Sequence, residues 1–239
     1  MSTIQCIIYF SLVVSSWACS CKRFHPQEHF CQDDYALRVK VIGSLKVERF
    51  AEVDITHGTV RFEKIYYPIR IIEVYKGNVS SLTHLKKLHR RIDKVRYISR
   101  LYVPSRISSC SLSLKKSKYY ILMGQIHEGS LHHDLCNWRS LLKHVTKIQK
   151  KGLKKYYAEG CQCTIRTCPT LEWCKKSRLR NECRWVARDG ITSTKCVDGW
   201  KVCKYNIKRR SCKWKKLGQN HFANCVKTGQ LKINHARNW

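Results

Sequence analysis

The sequence predicts a mainly β protein with a few helices, built as a small antiparallel barrel or sandwich followed by a cysteine-rich unit. Three observations predict it. Apolar and basic residues alternate in short segments, turn residues bound those segments, and nine of the 15 cysteines fall between Cys161 and Cys225. A barrel or sandwich solves the problem such short strands pose, because each leaves one apolar face to cover.

In chain order, residues 1–18 stand apart as a leader. Met1 to Ala18 holds no Lys, Arg, Asp or Glu, carries the apolar runs 6–10 and 12–14, and ends on small residues at Ser16 and Ala18. That is the pattern of a secretory signal peptide cleaved before Cys19. The apolar stretch is too short to span a bilayer comfortably, and no later segment reads as a membrane span. Cys6 leaves with the leader, so 14 of the 15 cysteines remain, enough for seven disulfides in an oxidising compartment. Paired CxxC spacing, the mark of a zinc finger, is missing.

The segment 36–43, Ala-Leu-Arg-Val-Lys-Val-Ile-Gly, alternates as a half-buried strand. Val60 to Tyr75 reads as two similar stretches broken at Pro68, with a turn at Tyr75-Lys76-Gly77-Asn78. Tyr97 to Val103 is another strand, ended by Pro104, and Tyr119 to Ile126 reads as a buried strand. Asn137 is expected to cap a helix from Trp138 to about Ile148, with Leu141, Leu142, Val145 and Ile148 on one face. His25-Pro26 reads as a rigid turn, and His132-His133 as surface residues facing opposite sides of a strand. Asn78-Val79-Ser80 is an N-glycosylation acceptor sequence just past a turn.

Past Cys161 apolar runs thin out, so this half is expected to need its disulfides to fold. The chain therefore divides into a leader at 1–18, a first unit at 19–161, and a second unit at 162–239 that ends in a basic tail, Lys227 to Trp239. The formal net charge is +31, from 47 basic and 16 acidic side chains. Residues 19–161 hold 28 basic and 12 acidic side chains, and residues 162–239 hold 19 and 4. A secreted protein this basic is expected to bind sulfated glycosaminoglycans or acidic matrix, whereas export argues against nucleic acid. There is no nucleophile elbow, no HExxH and no convincing acid–base pair, so an enzyme is not expected and no catalytic residue is assigned.

After cleavage the chain would begin Cys19-Ser20-Cys21-Lys22-Arg23-Phe24-His25-Pro26-Gln27, running on to Phe30-Cys31. Further along stand Ala36-Leu37-Arg38-Val39-Lys40, Tyr75-Lys76-Gly77, the Gly124 to Cys136 segment, Gly160-Cys161-Gln162-Cys163 with Cys168-Pro169, Cys183-Arg184-Trp185 and Cys212-Lys213-Trp214. This ordered series, covering most of residues 19–214, resembles the tissue inhibitors of metalloproteinases, as a divergent, invertebrate-like member. The resemblance implies an oligonucleotide-binding-type (OB-fold), netrin-like five-stranded barrel for 19–161 and a small disulfide-rich β domain for 162–239.

The resemblance also implies a function: stoichiometric inhibition of secreted or cell-surface zinc metalloproteinases by a monomer that carries no cofactor of its own. Cys19 would chelate the zinc of the target through its α-amine and carbonyl oxygen. Ser20 would enter the specificity pocket, with flanking contacts from Cys21, Lys22, Ile107, Ser108, Ser109 and Cys110. Arg23 departs from the proline common in the family, which puts the choice of protease in question. The implied bridges are Cys19–Cys110, Cys21–Cys136, Cys31–Cys161, Cys163–Cys212, Cys168–Cys174 and Cys183–Cys203. Cys196 and Cys225 have no counterpart in the usual twelve-cysteine pattern and pair by elimination. Because Cys196 and Cys203 compete for one place in the alignment, those last two pairings stay open. The rival reading is a basic matrix- or heparin-binding module of the same fold without inhibitory activity.

Overall fold

A computed structural model describes residues 19–22, 24–54, 58–88, 96–168, 179–186, 196, 198–216 and 223–225. The chain opens with helix α1 (Pro26–Gln32) and then forms β1 (Tyr35–Val41), β2 (Lys46–Asp54), β3 (Gly58–Lys76), β4 (Lys86–Leu88), β5 (Arg96–Val103), β6 (Tyr119–His127), β7 (Ser130–His132) and β8 (Arg139–Leu141). Five of these close a ring. β3 pairs with β1, β1 with β6, β6 with β7, β7 with β5, and β5 with β3 again. Closure leaves the ring without an unpaired edge.

Period-2 alternation explains how this barrel fills. Leu37, Val39 and Val41 of β1 point inward, joined by Ile69 and Ile71 of β3, Leu101 of β5, Leu122 of β6 and Leu131 of β7. β6 is buried on both faces, as its unbroken apolar run predicts. Its Leu122 fills the barrel, while Ile121 and Met123 face an outer layer with Phe30, Val145, Ile148, Leu153 and Tyr157.

The long strand β3 runs through Pro68 where the sequence predicts a break. At Pro68 one side of β3 changes partner, from β2, whose register ends at Lys46↔Tyr66, to β1, whose register begins at Val41↔Ile69. Pro68 turns its carbonyl to this side, accepting from Ile42 N at 3.0 Å. The missing N–H of proline therefore falls in the gap between two ladders, where no bond is lost. The strand β2 itself, forming a hairpin with the first half of β3, was not predicted.

The helix expected over 138–148 is also different. Arg139–Leu141 is strand β8, pairing with β6, and Leu142–His144 is a single 3-10 turn. The helix α2 (Lys147–Lys151) starts later, capped by Thr146 rather than Asn137. Thr146 and Gln149 form a reciprocal capping box, each side chain accepting from the other's backbone N–H. The apolar residues in this stretch serve two layers, Leu141 against the barrel and Leu142, Val145 and Ile148 under the helix, so they mimic one helical face. The turn continues through Gly152–Tyr156 into α3 (Tyr157–Glu159).

Beyond Cys161, β9 (Thr164–Cys168) pairs in parallel with β10 (Glu182–Val186), and β11 (Lys201–Asn206) forms a hairpin with β12 (Ser211–Lys216). Their small core is largely sulfur: Cys163, Cys183, Cys203 and Cys212 around Ile165, with Tyr205 and Trp214 against them. Val202 and Trp200 extend the outer layer of the barrel, and Thr146 Oγ1 donates to Gly199 O at 2.5 Å. No helix among the described residues is long and apolar enough to cross a membrane. The leader, Arg23, Cys174 and the basic tail lie outside the described residues.

Candidate functional site

The N-terminal segment from Cys19 to Lys22 has no secondary structure of its own, so other parts of the chain must hold it. Two bridges do so. Cys19 is joined to Cys110 and Cys21 to Cys136, each with Cα atoms 5.1 Å apart. The bridges pack side by side, with Cys19 Sγ lying 3.9 Å from Cys21 Sγ and 3.7 Å from Cys136 Sγ. A dipeptide repeat of cysteine thus clamps one strand of chain to two separate loops within three residues.

Each loop is shaped by its own short-range bonds. In 105–111, Ser108 N donates to Ser105 O and Ser111 N to Ser108 O, both at 2.9 Å, and Cys110 N donates to Ser108 Oγ at 3.2 Å. In 134–137, Asp134 Oδ1 accepts from Cys136 N at 2.8 Å and Asn137 N at 3.1 Å, an Asx turn that aims Cys136 at Cys21. Leu135 N donates to Cys110 O at 3.0 Å and ties the loops to each other. This is where Asn137 acts: its Oδ1 accepts from Asp134 N at 2.9 Å instead of capping a helix.

The result is one ridge that gathers Cys19, Ser20, Cys21 and Lys22 with Ile107, Ser108, Ser109 and Cys110. Ser20, Cys21 and Lys22 are exposed, and Ile107 is 96% exposed. An isoleucine held in water three positions before a bridged cysteine is an apolar side chain left uncovered by the described residues. The ammonium of Lys22 sits over the Phe24 ring, 5.1 Å from its centre. His25-Pro26, read from the sequence as a rigid turn, forms the start of α1, with His25 at the N-cap. His25 is fully buried, its Nδ1 accepting from Gln27 N at 3.1 Å.

The remaining bridges are Cys31–Cys161, Cys163–Cys212, Cys183–Cys203 and Cys196–Cys225. Cys168 is disulfide-bonded, and the partner expected for it, Cys174, lies outside the described residues. Among the described residues, sulfurs crowd together in two places, Cys19, Cys21 and Cys136, and Cys163, Cys203 and Cys212. All six are in disulfides, which leaves no thiolate to ligate a metal there.

His133, read from the sequence as a surface residue, is buried at 2% exposure, because it lies two positions on from the buried Leu131, on the same side of the extended chain. Burial, with the charge of Arg139 nearby, brings its pKa down to about 3 and keeps it neutral. Asn78 is exposed, and its Oδ1 accepts from Ser80 N at 3.1 Å in a turn after β3. Sequence reasoning missed the supports of the ridge, Asp134 and Leu135. The signal for Asp134 was present as Asp-x-Cys-Asn, an Asx-turn pattern.

Comparison with known proteins bears on this ridge. The family described as tissue inhibitor of metalloproteinase matches residues 17–214 of this chain. Metalloproteinase inhibitor 3 of Gallus gallus is 32% identical over 170 residues, covering 71% of this chain and 68% of that protein. Metalloproteinase inhibitor 3 of Xenopus laevis is 31% identical over 169 residues, covering 70% and 67%. Metalloproteinase inhibitor 4 of Mus musculus is 30% identical over 172 residues, covering 71% and 67%.

Proposed function

This chain belongs to the tissue inhibitor of metalloproteinase family, and from that premise we propose that it is a secreted inhibitor, not an enzyme, that blocks zinc metalloendopeptidases with its N-terminal ridge. The observation that supports this reading most is the Cys19–Cys110 bridge. It ties Cys19, which would be the first residue of the processed chain, to the loop that carries the exposed Ile107.

Removal of residues 1–18 gives Cys19 a free α-amine. Such an amine has a pKa of about 7.7–8.0, so it loses its proton at little cost near neutral pH. A catalytic zinc in a protease keeps three protein ligands and one exchangeable position. The α-amine and carbonyl oxygen of Cys19 take that position as a five-membered chelate and displace the water needed for hydrolysis. The sulfur of Cys19 is not a donor, being held in the bridge. Rigidity is its contribution: both disulfides fix the chelating end before binding, which lowers the entropy lost on association. Ser20 then enters the specificity pocket, while Lys22 and the segment Ile107–Cys110 contact the cleft walls.

The proposal keeps an inhibitory unit at 19–161 and a second unit at 162–239, acting as a monomer in the extracellular space. The net charge of +31 favours an accompanying affinity for sulfated glycosaminoglycans. That charge also motivates the second reading, a matrix-binding module without inhibition. Titration of the processed protein against a matrix metalloproteinase, beside a form with one alanine added before Cys19, separates them. One-to-one inhibition by the native form alone supports the chelate; absence of inhibition by both forms, across several such enzymes, overturns it.

A further inference from the structure

On the barrel, a groove of about 680 Å³ runs between the turn before β6 and the segment from β8 to α2. Four lysines line it, Lys115 and Lys118 on one bank and Lys143 and Lys150 on the other. All four are exposed. Among the described residues none of the four is in an ion pair, although Lys154 and Lys155 farther along the helical turn reach Glu73 and Glu159. The chain explains the imbalance, since it carries no Asp or Glu between Asp134 and Glu159 and none from position 97 to 127.

The floor of the groove is apolar: Leu141, Leu142 and the ring of Tyr119. Lys40 of β1 adds a cation above that ring, 5.4 Å from its centre. The spacing along α2 extends the stripe, because Lys147, Lys150 and Lys151 point outward while Ile148 and Gln149 are buried. Unneutralised cations on both banks of an apolar floor suit a chain that alternates anionic groups with flat, weakly polar faces. A sulfated sugar polymer is such a chain. Its sulfates match the ammonium groups, and its ring faces match Leu141, Leu142 and Tyr119.

We propose that this lysine groove is the binding site for a sulfated glycosaminoglycan strand. It has no lining residue in common with the ridge of Cys19–Lys22 and Ile107–Cys110, so polymer and protease are held at the same time. The proposal rests on the extracellular part of the functional reading and not on the zinc chelate.

The test uses the processed protein and two fourfold variants that lose equal charge. One carries Lys115→Gln, Lys118→Gln, Lys143→Gln and Lys150→Gln; the other carries Lys46→Gln, Lys86→Gln, Lys87→Gln and Lys208→Gln, at exposed positions elsewhere. Binding to immobilised heparin is read across salt concentrations. The groove variant is expected to bind about 30-fold more weakly at physiological salt. Its slope of log affinity against log salt is expected to fall by about 3, by counterion release from four contacts. The control variant changes little.

Equal losses in both variants would show diffuse attraction and overturn the site. So would tighter binding to phosphatidylserine vesicles that heparin oligosaccharides cannot displace. Lysine acylation of the unmodified protein gives a second reading that no folding defect can confuse. Heparin should protect Lys115, Lys118, Lys143 and Lys150, and unchanged acylation of all four would refute the groove. Loss of protease inhibition with heparin binding intact would sink the chelate and leave the groove standing.

Discussion

Gln27 and Cys203, 176 positions apart in sequence, are joined like two strands of a sheet: Gln27 Nε2 donates to Cys203 O at 2.8 Å, and Cys203 N donates to Gln27 Oε1 at 2.9 Å. Gln27 is 1% exposed, in the helix that directly follows the N-terminal ridge. Its amide therefore supplies β11 with a ladder rung besides those of its pairing with β12. The second part of the chain is thereby keyed to the helix that the ridge leads into. Lys204, next along β11, adds an ion pair to Glu159 at 2.9 Å.

Replacing Gln27 with alanine is expected to destabilise the protein by about 2–4 kcal/mol, since it strands one buried N–H and one buried C=O. Urea unfolding under non-reducing conditions measures it. Gln27→Glu should cost a similar amount, because a carboxylate keeps the acceptor, loses the donor and faces Cys203 O. A change below about 0.5 kcal/mol in both variants would mean that water replaces the amide at no cost.

Ile107 is expected to matter for binding and not for folding. At 96% exposure it stabilises nothing in the free protein. Buried in a protease cleft it would contribute about 2 kcal/mol. Ile107→Ala is therefore expected to raise the inhibition constant about 30-fold and leave the unfolding midpoint in place. An unchanged inhibition constant would remove the 107–110 loop from the contact surface.

How far the sequence discloses this structure depends on what each strand packs against. β1 and β5 are legible because one face meets the core, and β6 because both faces do. β2 escapes notice because Lys46, Glu48, Arg49 and Glu52 break the apolar run, and its hairpin projects instead of packing. Even so, Phe50 and Phe62 pair across it with stacked rings 5.7 Å apart. The helix at 138–148 is misread because Leu141 and Leu142 serve opposite layers. On the ridge, Cys19 and Cys21 announce themselves by spacing and resemblance and Asp134 by its Asx-turn pattern, whereas Leu135 acts through a backbone bond to Cys110 that no residue pattern encodes. The Gln27–Cys203 rung is wholly long-range, and no local signal marks it.

Gly124 gives a sharper test of barrel closure. A Cβ built there would stand 2.5 Å from His132 O and 2.6 Å from the hydroxyl of Tyr35, the two groups bonded to each other at 2.9 Å. Gly124→Ala must push β7 away or expel the Tyr35 ring from the core. A loss of about 1–3 kcal/mol is expected from overpacking. The double variant Gly124→Ala, Tyr35→Phe should recover part of it, since the clashing hydroxyl is gone. No recovery would put the strain on the backbone of β7 alone.

His133 makes stability depend on pH. Its imidazole is buried and neutral, with a pKa of about 3, below the ordinary value of 6.5. Below pH 6.5 the unfolded chain takes up a proton that the native state refuses, so stability falls as pH falls until about pH 3, where the native group also protonates. The slope from this one group approaches about 1.4 kcal/mol per pH unit, or about 2 kcal/mol between pH 6.5 and 5. Glu28 works the other way. Burial raises its pKa, so its native form holds a proton longer than the unfolded chain does, and its contribution is lost as pH rises. The informative quantity is thus the difference between the wild type and His133→Leu, which shares every other group. Urea unfolding at pH 7 and pH 5 should show the wild type losing about 2 kcal/mol more than the variant. Parallel losses would mean that His133 gains a proton in place, with Arg139 and the surrounding barrel relaxing to admit the charge.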